Sequence, residues 1–267
     1  MEYTTVIGVD AGHLEQLRLT WPTWAANKPS LLKNPVVCFY DVHSVHRAEI
    51  HFAIDPKPIS LTLCAWPLAG MTVDDYGKPT QDKWTNPQRV MMLSGFIPVA
   101  AAAVSTPYWL KLDLDVVATG VDDWIDPVWF VGDPAIVSQK WHYTKPSSQV
   151  LDLDAWVCKH IELMPEFLGT EPLNLIPAPG SSLVKHKRII SWCGFFGAEF
   201  TKLCRDLSKR TCAVGHMPVP SQDGFMFYTA KRLGLSIRME DMKARGWRHT
   251  SGGRSLRDCA HQILGLL

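Results

Sequence analysis

The chain has no dominant charge: 27 basic residues against 26 acidic ones leave a formal net charge of +1 over 267 residues. That excludes a globally basic nucleic-acid coat and an acidic tail protein, while leaving room for a local patch. Its seven cysteines form no C-x-x-C pair, so neither a zinc ribbon nor a redox dithiol is written into it. Reduced, mostly buried thiols are the expectation. Long hydrophobic runs are missing too. The longest, Phe96 to Val104, is far short of a membrane span and contains Pro98. The opening residues, Met1-Glu2-Tyr3-Thr4-Thr5, lack a basic leader and run straight into a strand pattern, so the expectation is a cytoplasmic protein without a signal peptide. The phosphate-loop, G-x-G-x-x-G, H-E-x-x-H and G-x-S-x-G signatures are all absent, which argues against those NTPase, dinucleotide, zincin and hydrolase classes.

What is present is a globular composition, 46% hydrophobic and 20% charged, in a chain long enough to bury most of its apolar surface. Eleven tryptophans read as core and surface packing, or as a few flat rings lining a ligand cleft. The β-branched run Thr4 to Val9 ends at Asp10, and Leu14, Leu17, Trp21 and Trp24 then recur at helical spacing. Further apolar runs, Pro35 to Tyr40 and Ile59 to Trp66, stop at Asp41 and Pro67. Short strands alternating with a helix, each ending in a polar residue or proline, predict parallel strands whose carboxyl ends face a ligand crevice. Asp74 to Asn86 reads as a loop. Asn86-Pro87 reads as a helix cap and first turn, opening a helix that kinks near Pro98 and runs to Ala103. Strands are predicted at Ala135 to Tyr143 and Ile189 to Phe196, and helices at Glu199 to Leu207, Gly224 to Leu233 and Leu256 to Leu266.

The strongest chemical signal is Leu110-Lys111-Leu112-Asp113-Leu114-Asp115-Val116-Val117. Two carboxylates one residue apart, at the end of an apolar strand, converge on a hard divalent cation once the strand bends into a loop. Oxygen ligands of that kind suit Mg²⁺ or Mn²⁺. A second pair, Asp152-Leu153-Asp154, directly precedes a helix pattern and is better explained by capping.

In this order the motifs resemble the GT-A nucleotide-sugar glycosyltransferases. Asp10 ends the first strand, and Asp113 and Asp115 close a central one. Ile190-Ser191-Trp192-Cys193-Gly194-Phe195-Phe196-Gly197 is similar to the glycine-containing segment near the donor sugar. Ser221-Gln222-Asp223-Gly224-Phe225-Met226 is similar to the acidic motif that opens a helix beneath the acceptor. Gly246-Trp247-Arg248-His249 is similar to the C-terminal segment whose histidine completes the metal site. The resemblance implies a single α/β domain over residues 1–267, with a mixed sheet and helices on both faces. A Rossmann-like nucleotide-sugar half would cover 1–118 and an acceptor half 119–267.

The implied reaction moves a sugar from a nucleotide sugar to an acceptor hydroxyl. Asp115 and His249 are the expected ligands of Mn²⁺ or Mg²⁺, which would neutralise charge developing on the leaving diphosphate. Asp113 is expected at the same metal or at the ribose. Asp10, Arg89 and Gly194 are candidates for donor contacts, although Arg89 also fits a solvated helix face. Asp223 is the candidate base for an inverting displacement, or a helix cap. Two rivals remain: a haloacid-dehalogenase-like phosphatase built on Asp113 and Asp115, and a carbohydrate-binding protein without turnover.

Basic residues gather between Lys231 and Arg257. Arg248 and Arg254, with Trp247 among them, suit the donor diphosphate. In the bolder reading they suit DNA bearing a hydroxymethylated base, whose flipped ring an aromatic side chain would stack upon.

Overall fold

Seven consecutive buried residues make β1 (Tyr3–Val9), which carries no charged residue because both of its faces are covered. In the computed structural model, residues 1–67, 85, 88, 95–120, 124–143, 186–214, 222–250 and 253–266 are described. β1 lies between β2 (Val36–Tyr40) and β4 (Tyr108–Leu112), parallel to both, and β3 (Leu61–Ala65) adds a further parallel strand outside β2. Beyond β4 the direction reverses. β7 (His186–Gly197) runs antiparallel to β4 and to β6 (Ile136–Tyr143), and β8 (Ile237–Glu240) pairs parallel with β6. The result is a seven-stranded mixed sheet in the order β3-β2-β1-β4-β7-β6-β8. Both halves of the chain contribute strands to it.

Alternation along the strands sorts side chains to two cores. Tyr3, Ile7 and Val9 of β1 and Leu110 and Leu112 of β4 face α1 (Ala11–Asn27) and α2 (Arg47–Ala53). Val6 and Trp109 face the other way. There they meet Ile97 and Ala100 of α3 (Ile97–Ala103), Phe200 and Cys204 of α4 (Ala198–Val214), and Phe225 and Met226 of α5 (Gln222–Arg232).

Two sequence expectations are corrected here. Pro98 does not kink a long helix: Gly95 turns the chain at φ 51° and Pro98 sits in the first turn of α3, where its missing N–H is no loss. The central strand does not extend to Asp113 and Asp115, because β4 ends at Leu112 and a turn separates it from β5 (Val116–Ala118). β5 leaves the main sheet to pair with β9 (Trp247–His249) in a separate two-stranded ribbon. The reading of the tryptophans as core packing holds among the described side chains: Trp21, Trp24, Trp66, Trp109, Trp124, Trp129, Trp192 and Trp247 are all buried. The last helix, α6 (Gly253–Ile263), packs Leu256 and Ala260 on Val117. Apart from Thr85, the loop expected at 74–86 lies outside the described residues, as do the helix expected after Asp154 and Asp152 and Asp154 themselves.

Candidate metal and nucleotide-sugar site

The carboxyl ends of β1 and β4 lie side by side, and the chain turns sharply after each. At the end of β1, Asp10 is the N-cap of α1, its carboxylate accepting from the His13 backbone N–H at 3.1 Å. The same oxygen is 2.8 Å from His13 Nδ1. Burial works to raise the pKa of Asp10, but the hydrogen bonds and charge of His13 prevail and hold it below the ordinary value.

At the end of β4, the Asp113 backbone N–H donates to Trp192 O at 2.9 Å and anchors the turn to β7. The β5–β9 ribbon then places His249 opposite Val116. Thr250 fastens that junction, its backbone N–H and its hydroxyl both donating to Asp115 O at 2.9 and 2.8 Å. His249 Nε2 therefore comes within 3.2 Å of Asp115 Oδ2. The Asp115 hydrogen bond, against the opposing effect of burial, raises the His249 pKa above its ordinary value. The Trp192 ring lies 5.9 Å from the His249 ring at a 34° tilt and limits its movement.

One ligand atom from each of Asp113, Asp115 and His249 falls within 4.8 Å of the others. Two carboxylate oxygens and an imidazole nitrogen form a donor set that fits Mn²⁺, with Mg²⁺ the harder alternative. These residues line a cleft of about 220 Å³ together with Gly8, His13, Gln16, Phe96, Leu112 and Leu114.

Other sequence candidates fall at varying distances from this centre. Asp10 is buried behind His13, and it is His13 that lines the cleft. Gly194 sits within the sheet, in register with Lys111 and Ser138, and a Cβ there would meet Ser138 Cβ at 3.3 Å. Arg254 is solvent-exposed in a neighbouring groove that shares Gln16 with the cleft, with its guanidinium 3.7 Å from Asp258. Arg248 is exposed on β9. Trp247 is corrected outright. Its ring is fully buried, 6.3 Å from Trp24 and 5.0 Å from Trp124, so it offers no platform for a flipped base. Arg89 and the side chain of Asp223 lie outside the described residues; the backbone of Asp223 opens α5.

Sequence reasoning missed His13, Gln16, Lys111 and Trp192. The first was signalled by its position three residues after a strand-end Asp10, the spacing at which a cap and a first-turn residue meet.

No protein-family model and no curated protein matches the sequence. Among solved structures, the chain is similar to core-mannan synthase A of Aspergillus fumigatus in its Mn/GDP form, at TM-score 0.58 and 12% identity, covering 93% of this chain and 74% of that one. It is also similar to the mannosyltransferase Ktr4p of S. cerevisiae, at TM-score 0.53 and 12% identity over 93% and 70% of the two chains. The GDP complex of Ktr4p gives TM-score 0.51 at 11% identity, over 93% and 71%. The chain has the GT-A glycosyltransferase fold, as the order of its motifs implied. In that fold the D-x-D pair follows β4, not the first strand that the phosphatase alternative requires. No helix among the described residues is long and apolar enough to cross a membrane.

Proposed function

We propose that this protein transfers a sugar from a nucleoside-diphosphate sugar to an acceptor hydroxyl, with a divalent cation held by Asp115 and His249 beside Asp113. One observation carries the reading: two carboxylates from the turn after β4 and an imidazole from β9 converge within 4.8 Å at the carboxyl end of a parallel strand, where open α/β sheets bind ligands. A carbohydrate-binding protein without turnover would not need that set.

When bound, the cation supplies a Lewis acid that neutralises charge on the departing diphosphate. The chain's own residues do the rest. Thr250 and Trp192 hold His249 beside Asp115, so its Nε2 already stands at the site and would ligate a cation on giving up the proton it shares with Asp115. Asp10 holds the His13 ring at the cleft wall, where the ring nitrogen not engaged by Asp10 can accept from a hydroxyl of the donor. Gly8 leaves the strand end bare of side chain, so a ligand can approach the backbone there. The exposed guanidiniums of Arg248 and Arg254 add positive charge on the β9–α6 side, suited to a polyanionic donor.

A thermal-shift panel of UDP- and GDP-sugars, with and without MnCl₂, tests the proposal. A true donor at a hundredfold excess over its Kd stabilises the native state by about 2.7 kcal/mol. That shift should appear only with the cation, and the same donor should release its nucleoside diphosphate on incubation. Stabilisation without release would favour the binding-protein alternative, and no Mn²⁺-dependent shift with any donor would overturn the proposed transfer.

A further inference from the structure

We propose that Lys111 is a positioning residue that splits the acidic pair: it engages Asp113 as an internal ion pair, leaves Asp115 and His249 to carry the cation, and tunes the site to a cation–diphosphate pair over the bare cation. This rests on the glycosyltransferase reading and deepens it.

Lys111 precedes Asp113 by two residues, so the two side chains project to one side of the chain as β4 ends. Lys111 lies in register between Val6 of β1 and Gly194 of β7, and its side chain is only 1% exposed. An ammonium that deep is strongly destabilising unless it is paired. Its Nζ bonds Asp113 Oδ1, and the Asp113 side chain, 34% exposed, reaches the cleft. Lys111 is thus the anchored end of the pair and Asp113 the accessible end.

The partner of Asp115 is of a different kind. A neutral imidazole has a lone pair and can join Asp115 in ligating a metal; an ammonium has none and can only compete with the metal for its carboxylate. The two halves of the D-x-D are therefore unequal. Lys111 also offsets one of the two carboxylate charges, which weakens attraction for a bare cation and favours the anion that arrives with it.

The test is calorimetric, on the intact chain, with MnCl₂ alone and then with GDP and UDP at saturating Mn²⁺. Lys111→Met should bind Mn²⁺ alone about tenfold more tightly and the better nucleoside diphosphate about tenfold more weakly. A purely structural lysine would weaken both. Asp113→Asn in the otherwise native chain should cost less than about threefold in Mn²⁺ affinity, yet should cancel the gain in the Lys111→Met background, a non-additivity that marks a coupled pair. The proposal is overturned if Lys111→Met lowers both affinities, or if Asp113→Asn costs as much Mn²⁺ affinity as Asp115→Asn. Should Lys111→Met fail to fold, the Asp113→Asn comparison decides alone. A wild-type chain that takes up no Mn²⁺ overturns the metal-site reading itself; wild-type uptake with the wrong variant pattern overturns only the role of Lys111.

Discussion

Trp24 Nε1 donates to Val116 O at 2.7 Å, tying the last turn of α1 to the first residue of the ribbon that carries His249. Thr23 and Asn27 add to the same clamp. Thr23 Oγ1 accepts from the Ala118 N–H at 3.1 Å, and Asn27 Nδ2 donates to Ala118 O at 3.2 Å. A three-residue strand has little stability of its own. The position of His249 is therefore set as much by α1 as by β5 and β9.

Trp24→Phe keeps most of the buried ring and deletes the donor, leaving Val116 O without that bond. Stability should fall by about 1–3 kcal/mol, read from urea unfolding. Mn²⁺ affinity should fall with it, since the β5–β9 register is loosened. A stability loss with unchanged Mn²⁺ affinity would show that the ribbon does not depend on this clamp.

Gly246 precedes β9 at φ +81°, and a Cβ there would lie 1.9 Å from Thr119 O. Gly246→Ala combines a strained backbone with a clash against main chain, so it should destabilise by at least about 2 kcal/mol. Equilibrium denaturation measures this. Gly234, also at positive φ but with open space around its Cβ position, should tolerate alanine better.

The Asp10–His13 contact predicts a pH dependence. The folded-state pKa of Asp10 lies below its unfolded value, so its contribution is complete above the unfolded pKa and is lost as pH falls through the folded one. Asp10→Ala should therefore destabilise by about 1 kcal/mol at neutral pH, and the difference from wild type should shrink toward pH 2. Thermal melts across pH 2–7 would show the two curves converging at the acid end. Parallel curves would mean that the carboxylate charge is irrelevant to the cap.

How much of this was legible in the sequence follows from range. The Asp113-Leu114-Asp115 pair lies within one turn and is local, so its convergence could be read directly; so could α1, from Leu14, Leu17, Trp21 and Trp24. The β8 and β9 strands, with four and three residues, are too short to show a period. Trp247 was misread because the sequence surrounds it with arginines, whereas strand alternation turns its ring inward and Arg248 outward. Lys111 stood inside the strongest motif, but a lysine in a strand reads as solvent-facing, and only the sheet shows it enclosed. Pro98 was read as a kink because proline interrupts a helical pattern, and only the preceding Gly95 turn makes it a first-turn residue instead.

The proposed function rests on Asp115 and His249, with Asp113 beside them, forming the divalent-cation site on which nucleotide binding depends. Asp115→Asn preserves shape and keeps the Thr250 bonds, which go to the backbone carbonyl of residue 115 and not to its side chain. Calorimetric titration of GDP and UDP into both proteins with and without MnCl₂ is the most direct measurement. Wild type should bind one of these nucleotides in a Mn²⁺-dependent manner, and Asp115→Asn should lose about a hundredfold or more of that affinity while its unfolding midpoint stays close to that of wild type. Mn²⁺-dependent binding that survives the substitution unchanged would contradict the assignment.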